Sequence, residues 1–150
     1  MELIDAVTDF SIEKDIVRPE YDVEFRISED REVFAWGRSL IPYQVYSALC
    51  CVAYTHEIPI NMEQLTEYSI NHSPYRGDIA VAYTVWNCSD AKGSGRSLIL
   101  ALQKHFSSHA KVNRLVTLSP LTEMAKRFHL SNGARLLSTN PESYNFEYGI

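Results

Sequence analysis

The chain has 150 residues, 45% of them hydrophobic and 22% charged, and its 14 basic and 19 acidic side chains leave a formal charge of −5 at pH 7. That length suits one compact domain, 1–150, and the composition excludes disordered, collagen-like and coiled-coil chains, while the acidic balance argues against general nucleic-acid binding through phosphates. Cys50, Cys51 and Cys88 form neither an even disulfide framework nor a metal knuckle, no apolar run nears the roughly 20 residues of a membrane span, and Met1 to Asp5 lack a basic segment ahead of an apolar one, which together predict a reduced, cytoplasmic protein without metal or membrane span.

Residues 1 to 20 show no period, and Pro19 ends whatever order precedes it. Val23, Phe25 and Ile27 alternate with Glu24, Arg26 and Ser28, which predicts a half-buried strand. Ser28-Glu29-Asp30 offers a cap and an acidic first turn ahead of Val33, Phe34, Trp36 and Leu40, which predicts a helix. After Pro42, Val45, Leu49, Val52 and Ala53 stand at helical spacing and predict a second helix over 43 to 56, in which Cys50 and Cys51 are structural. Asn61-Met62-Glu63-Gln64-Leu65 starts a shorter helix, and 72 to 77 is a loop. No second and third strand is legible before Ile79, and an abbreviated sheet would leave an edge for a second subunit, hence a homodimer.

The second half is clearer. Residues 79 to 86 form a β-rich run that suits a buried central strand, and Leu98, Ile99, Leu102 and Phe106 recur at helical spacing. A short strand over 114 to 118, a helix over 120 to 130, the stop signal Asn132-Gly133 and closing strands over 134 to 138 and 144 to 148 complete the chain. Strand, helix, strand requires a crossover, so strands 79 to 86 and 114 to 118 are expected as parallel neighbours that splay at their ends.

Between the first of these strands and its helix lies Lys92-Gly93-Ser94-Gly95-Arg96. A glycine turn there aims backbone N–H groups outward at the positive end of a helix dipole, which suits an anion, although a tight connection needs the same glycines. There is no Gly-Lys-Ser/Thr ending for a nucleotide hydrolase and no acidic residue on the next strand for a ribose, so the turn suits a pyrophosphate held mainly by backbone, with Lys92 and Arg96 adding charge.

Asp90-Ala91-Lys92-Gly93-Ser94-Gly95 resembles the coenzyme A loop of the Gcn5-related N-acetyltransferase (GNAT) superfamily, Gln/Arg-x-x-Gly-x-Gly/Ala, with Asp where Gln or Arg is usual. Ala125 to Ala134 is similar to that superfamily's second signature, Ala-x-x-Phe/Leu-Tyr-x-x-x-Gly-Phe/Ala, with His129 at the place of the tyrosine. The resemblance covers 79 to 148. It implies an α/β (α+β) fold, a mixed and mostly antiparallel sheet flanked by helices, whose splayed parallel pair binds coenzyme A through Trp86, Asn87, Cys88, Lys92, Gly93, Ser94, Gly95 and Arg96. Within the superfamily, Thr117-Leu118-Ser119-Pro120 and Phe128-His129-Leu130-Ser131-Asn132-Gly133-Ala134 resemble the active-site segments of malonyl-CoA decarboxylases, without the long insertion between them. In that family the serine contacts the malonyl carboxylate and the histidine donates a proton to the carbanion.

The resemblance implies acyl transfer first: acetyl-CoA or another acyl-CoA gives its acyl group to an unidentified amine, with His129 as the acid for the leaving thiolate. Decarboxylation through Ser119 and His129 ranks second, because a helix running from Pro120 to His129 would set the two about 13–15 Å apart. A binding module that has lost turnover is the third reading. Each residue also has a structural role to weigh. Ser119-Pro120 suits a helix cap, Asn132-Gly133 is explained by the helix stop and receives no chemical role, and His129 near a helix end would be favoured as an imidazolium by the dipole.

Overall fold

From Val33 to Trp36 and from Ala48 to Tyr54 apolar side chains follow one another without polar relief, because these stretches serve two cores at once. Ala48, Cys50, Val52 and Tyr54 enter one core while Leu49, Cys51 and Ala53 enter the other, and Phe34 is divided in the same way from Val33 and Ala35. A strand covered on both faces shows no alternation of apolar with polar, so its period of two is hidden. The two helices expected over 28 to 40 and 43 to 56 are therefore the strands β2 (Arg31–Leu40) and β3 (Tyr43–Thr55). At Gly37 an added Cβ would lie 2.1 Å from the Val45 carbonyl oxygen, so this pairing admits only glycine there.

The computed structural model describes residues 1–40, 42–71, 75–90 and 92–150; part of the loop expected at 72 to 77, and Ala91 of the glycine turn, fall outside them. Besides β2 and β3 the elements are β1 (Glu2–Ile4), α1 (Val23–Ile27), α2 (Met62–Tyr68), β4 (Ile79–Asn87), α3 (Ser94–Ser107), β5 (Arg114–Thr117), β6 (Ser119–Pro120), α4 (Glu123–Ser131), β7 (Arg135–Thr139) and β8 (Ser143–Tyr148). One eight-stranded sheet has the order β1-β2-β3-β4-β5-β8-β6, with β7 also on β8. Only β4 and β5 are parallel; the other pairs are antiparallel. The expected fold class is what the chain adopts, but the sheet is not abbreviated, which removes the reason given for a second subunit.

Two further expectations fail locally. Residues 23 to 27 are a helical turn, not a strand: Asp22 Oδ1 accepts the Phe25 N–H at 2.8 Å, and Arg26 is buried while Ile27 is exposed, the reverse of the strand pattern. Helix α4 begins at Glu123, where Thr122 Oγ1 caps the Ala125 N–H at 3.1 Å, so Ser119 caps nothing and joins β6. The Asn61 cap of α2 and the positive φ of Gly133 after α4 follow the sequence reading. The first core lies between the sheet and α3, filled by Leu98, Ile99, Leu102 and Phe106; the second lies under the N-terminal arm, α1 and α2. No helix among the described residues is long and apolar enough to cross a membrane.

Candidate functional site

The parallel ladder of β4 and β5 is short. It runs from Ile79 opposite Arg114 to Ala82 opposite Thr117, and the Leu118 N–H to Ala82 carbonyl bond of 2.9 Å closes it. Beyond this point β4 stays with β3 as far as Asn87, whereas the chain after β5 pairs with β8 through Ser119. A bulge sharpens the divergence: Val52 faces Ala82 and Cys51 faces Thr84, so Tyr83 is an extra residue on β4. The strands splay as expected, and the fork opens into a cavity of about 550 Å³.

One end of the cavity is the N-terminus of α3. Gly93 caps it in the left-handed region, at φ +85°, and makes no side-chain cap bond. A helix N-terminus favours negative charge through its N–H groups and its dipole. Gly95 lines the cavity, and a Cβ there would sit 3.3 Å from Asn87 Oδ1 and 3.5 Å from the Phe128 ring. Arg96 also lines it, tied by Nη1 to Asn132 Oδ1 at 3.2 Å and to the Ser131 carbonyl at 3.4 Å. Trp86, Asn87 and Gly93 belong to the wall, whereas Cys88, Ser94 and the exposed Lys92 stand beside it. The Cys88 carbonyl instead accepts from Lys14 Nζ at 3.0 Å, and Lys14 is a cavity residue.

Ser119 and His129 also line the cavity. Helix α4 starts at Glu123, so no continuous helix runs from Pro120 to His129, and both residues line the same cavity. Ser119 is buried, with Oγ 2.9 Å from Thr117 Oγ1. His129 is 6% exposed, its ring packed between Phe128 and Phe146, and its Nδ1 lies 2.7 Å from the Tyr148 hydroxyl. Burial lowers the His129 pKa to about 4 and raises that of Tyr148, so both are neutral near pH 7. Desolvation thus outweighs the helix dipole, and the ring is no imidazolium. With the Tyr148 hydroxyl as donor to Nδ1 the histidine proton is on Nε2, and with the other tautomer Nδ1–H donates to the hydroxyl. Among the described residues that line the cavity there is no Asp or Glu.

Sequence reasoning missed Tyr148, the Arg96-bound Asn132, and the arm residues Lys14, Ile16 and Val17, which wall the cavity from the face opposite α3. The arm has no period to reveal it. Tyr148 looked like any residue of a closing strand, and the role of Asn132 as a helix stop hid its side chain.

No protein-family model and no curated protein sequence matches the chain. Its fold matches solved structures. The malonyl-CoA decarboxylase of Agrobacterium vitis superposes with a TM-score of 0.67 at 18% identity, over 93% of this chain and 56% of that one. AtaTR bound with AcCoA gives 0.59 at 15% identity, over 97% and 91%. NAA60 of Arabidopsis thaliana, in complex with a bisubstrate analogue, gives 0.56 at 16% identity, over 87% and 84%. The chain has a GNAT-like fold along nearly its whole length, and it spans about half of the decarboxylase.

Proposed function

We propose that this chain binds a coenzyme A thioester, with the pyrophosphate at Gly93 to Gly95, the pantetheine arm in the fork, and the acyl group beside Ser119 and His129, and that it acts on that acyl group. Of the two reactions, decarboxylation of a malonyl-type thioester suits the site better. The observation that carries this is the sharing of one cavity by Ser119 and a neutral His129. In decarboxylation the bond between carboxylate and α-carbon breaks, carbon dioxide leaves, and the electron pair spreads onto the thioester carbonyl. Ser119 holds the carboxylate, the Nε2 proton goes to the α-carbon, the Tyr148 hydroxyl passes its proton to Nδ1, and the tyrosinate takes the proton that the reaction consumes from solvent.

Acid strength separates the readings. A neutral imidazole N–H is a far weaker acid than a thiol of pKa about 8.5, so it cannot protonate a departing thiolate, whereas a carbanion is basic enough to take its proton. Amine acylation also calls for a base, and the described cavity wall carries no carboxylate. Acyl transfer is the second reading, favoured by the acetyl-CoA and bisubstrate complexes among the fold neighbours; in it His129 serves the geometry and not the proton.

The test is mass spectrometry of the purified chain with malonyl-CoA alone, and with acetyl-CoA plus a panel of amines. Decarboxylation gives acetyl-CoA and carbon dioxide without free thiol; transfer gives free thiol and an acylated amine; binding without consumption of either thioester leaves a module that only binds. His129→Gln is expected to keep coenzyme A affinity and to cut turnover by about tenfold to a thousandfold. Full activity of that variant in both assays removes His129 from the mechanism.

A further inference from the structure

At the fork two ladders lapse together. Tyr83 is the extra residue of the β4 bulge, with no register partner on β3, and the pairing with β5 has ended one residue before it. Leu118 lies between β5 and β6 and has no register partner on β8. Each leaves a main-chain carbonyl that a sheet would have used, and a partly buried carbonyl needs a donor. Both find the same one. Arg18, from the arm that showed no period in sequence, gives Nε to the Tyr83 carbonyl and Nη2 to the Leu118 carbonyl, each at 3.3 Å.

The guanidinium therefore spans the gap between the two strands where the ladder between them stops. It is not a loose surface contact. Asp15, 1% exposed, accepts the N–H groups of Val17 at 2.9 Å and Arg18 at 3.1 Å through Oδ1. The same oxygen accepts the Thr84 hydroxyl of β4 at 2.9 Å. Oδ2 of Asp15 pairs with the fully buried Arg26 at 2.7 Å, and Arg26 Nη2 donates to the Arg18 carbonyl at 2.7 Å. Arg18 is thus held by its own backbone to a buried ion pair that is itself fastened to β4. A planar guanidinium offers parallel donors at a set spacing, so one that bonds a carbonyl on each strand sets the distance between them.

We propose that Arg18 is the positioning residue of the fork: it holds the parted ends of β4 and β5 at the width that forms the cavity, and the arm that carries it is part of the working site. The inference rests on the cavity being the thioester site. Ile16 and Val17, its neighbours in sequence, line that cavity, and Leu118 joins Arg18 directly to the backbone of Ser119. With Arg18 removed, the two carbonyls must find water or each other's N–H groups, and the fork either wets or closes.

Amide hydrogen exchange on the ligand-free protein tests this directly. In Arg18→Met, which keeps the stem and loses both donors, exchange at 84 to 86 and at 119 is expected to rise about tenfold while α2 is unchanged, since the opening is local. The KM for the thioester is expected to rise about tenfold with a smaller change in kcat, since positioning of the bound arm is what is lost. For Arg18→Ala, guanidinium ion at non-denaturing concentration is expected to restore both readouts in part. Arg18→Lys, which retains the charge without the planar pair of donors, is measured if the methionine variant does not fold, with the same direction expected. Wild-type exchange at the fork in the folded Arg18 variants overturns the proposal. A wild-type protein that binds no thioester overturns the functional reading instead, and the ligand-free exchange still decides the role of Arg18.

Discussion

Lowering the pH from 7 to 4 should destabilise the protein through His129, by an amount that the structure sets. The ring is neutral in the fold with a pKa near 4 against 6.5 for the ordinary side chain, because burial disfavours its charged form. Above pH 6.5 folded and unfolded chains are both neutral there, and His129 adds no pH dependence. As the pH falls below 6.5 the unfolded chain takes up a proton that the folded chain refuses, so stability is lost until the folded ring titrates near 4. A depression from 6.5 to about 4, at about 1.4 kcal/mol per pH unit, corresponds to roughly 3 kcal/mol of lost stability. Urea denaturation at half-unit steps from pH 7.5 to pH 4 measures it, with His129→Gln as control. Glu147, whose carboxylate is held below its usual range by Arg114, also loses its contribution in acid, but it does so in both proteins. The difference between the two curves is therefore the histidine's own. Curves that run parallel down to pH 4 would show that the ring already titrates in the fold as it does in solution, and with that the argument for a neutral Nε2 donor falls. The same depression predicts that the rate of thioester turnover has no inflection near pH 6.5.

Ser119→Ala is expected to cut malonyl-CoA decarboxylation about a hundredfold and to leave acetyl transfer to amines nearly unchanged, because only the first reaction needs its hydroxyl on a carboxylate; equal effects in the two assays refute the assignment. Gly95→Val should remain folded, since its nearest obstacles are the Asn87 amide and the edge of the Phe128 ring, yet weaken coenzyme A binding at least about tenfold in calorimetry by filling the approach to the α3 N-terminus; unchanged affinity moves the pyrophosphate elsewhere. Asp15→Ala leaves the fully buried Arg26 without its counter-charge and is expected to cost about 3–5 kcal/mol in urea denaturation, where a loss under about 1 kcal/mol would show that the carbonyls of Tyr21 and Arg18 suffice for Arg26.

Much of the second half of the chain was legible because its signals are local. A strand bounded by polar residues, a glycine turn, an amphipathic helix and a left-handed stop each occupy a few consecutive residues, and β4, α3, β5, β7 and β8 lie where those signals put them. The glycine turn beside the cavity was legible for the same reason: Gly93 takes its positive φ within its own turn, and Gly95 follows it on the cavity wall. His129 and Ser119 were legible by resemblance, but not that they would line one cavity. That depended on where α4 begins, a choice between a cap at Ser119 and one at Thr122 that local chemistry leaves nearly even. Pairing of Ser119 with Tyr144 on β8 decides it.

What only the tertiary structure decided has one cause, burial from both sides. Cys50 and Cys51 sit beside one another in a run that reads as a helix, and they enter opposite cores only because helices and the arm cover the two faces of the sheet. Arg26 is buried in what alternation marked as a strand, because Asp15, 11 residues earlier in the chain, meets it there. Arg18 serves two carbonyls 65 and 100 residues away. Such partners leave no period behind: the amino-acid sequence by itself determined which short segments could turn, cap or stop, and the packing of the arm against the fork determined which of them form the site.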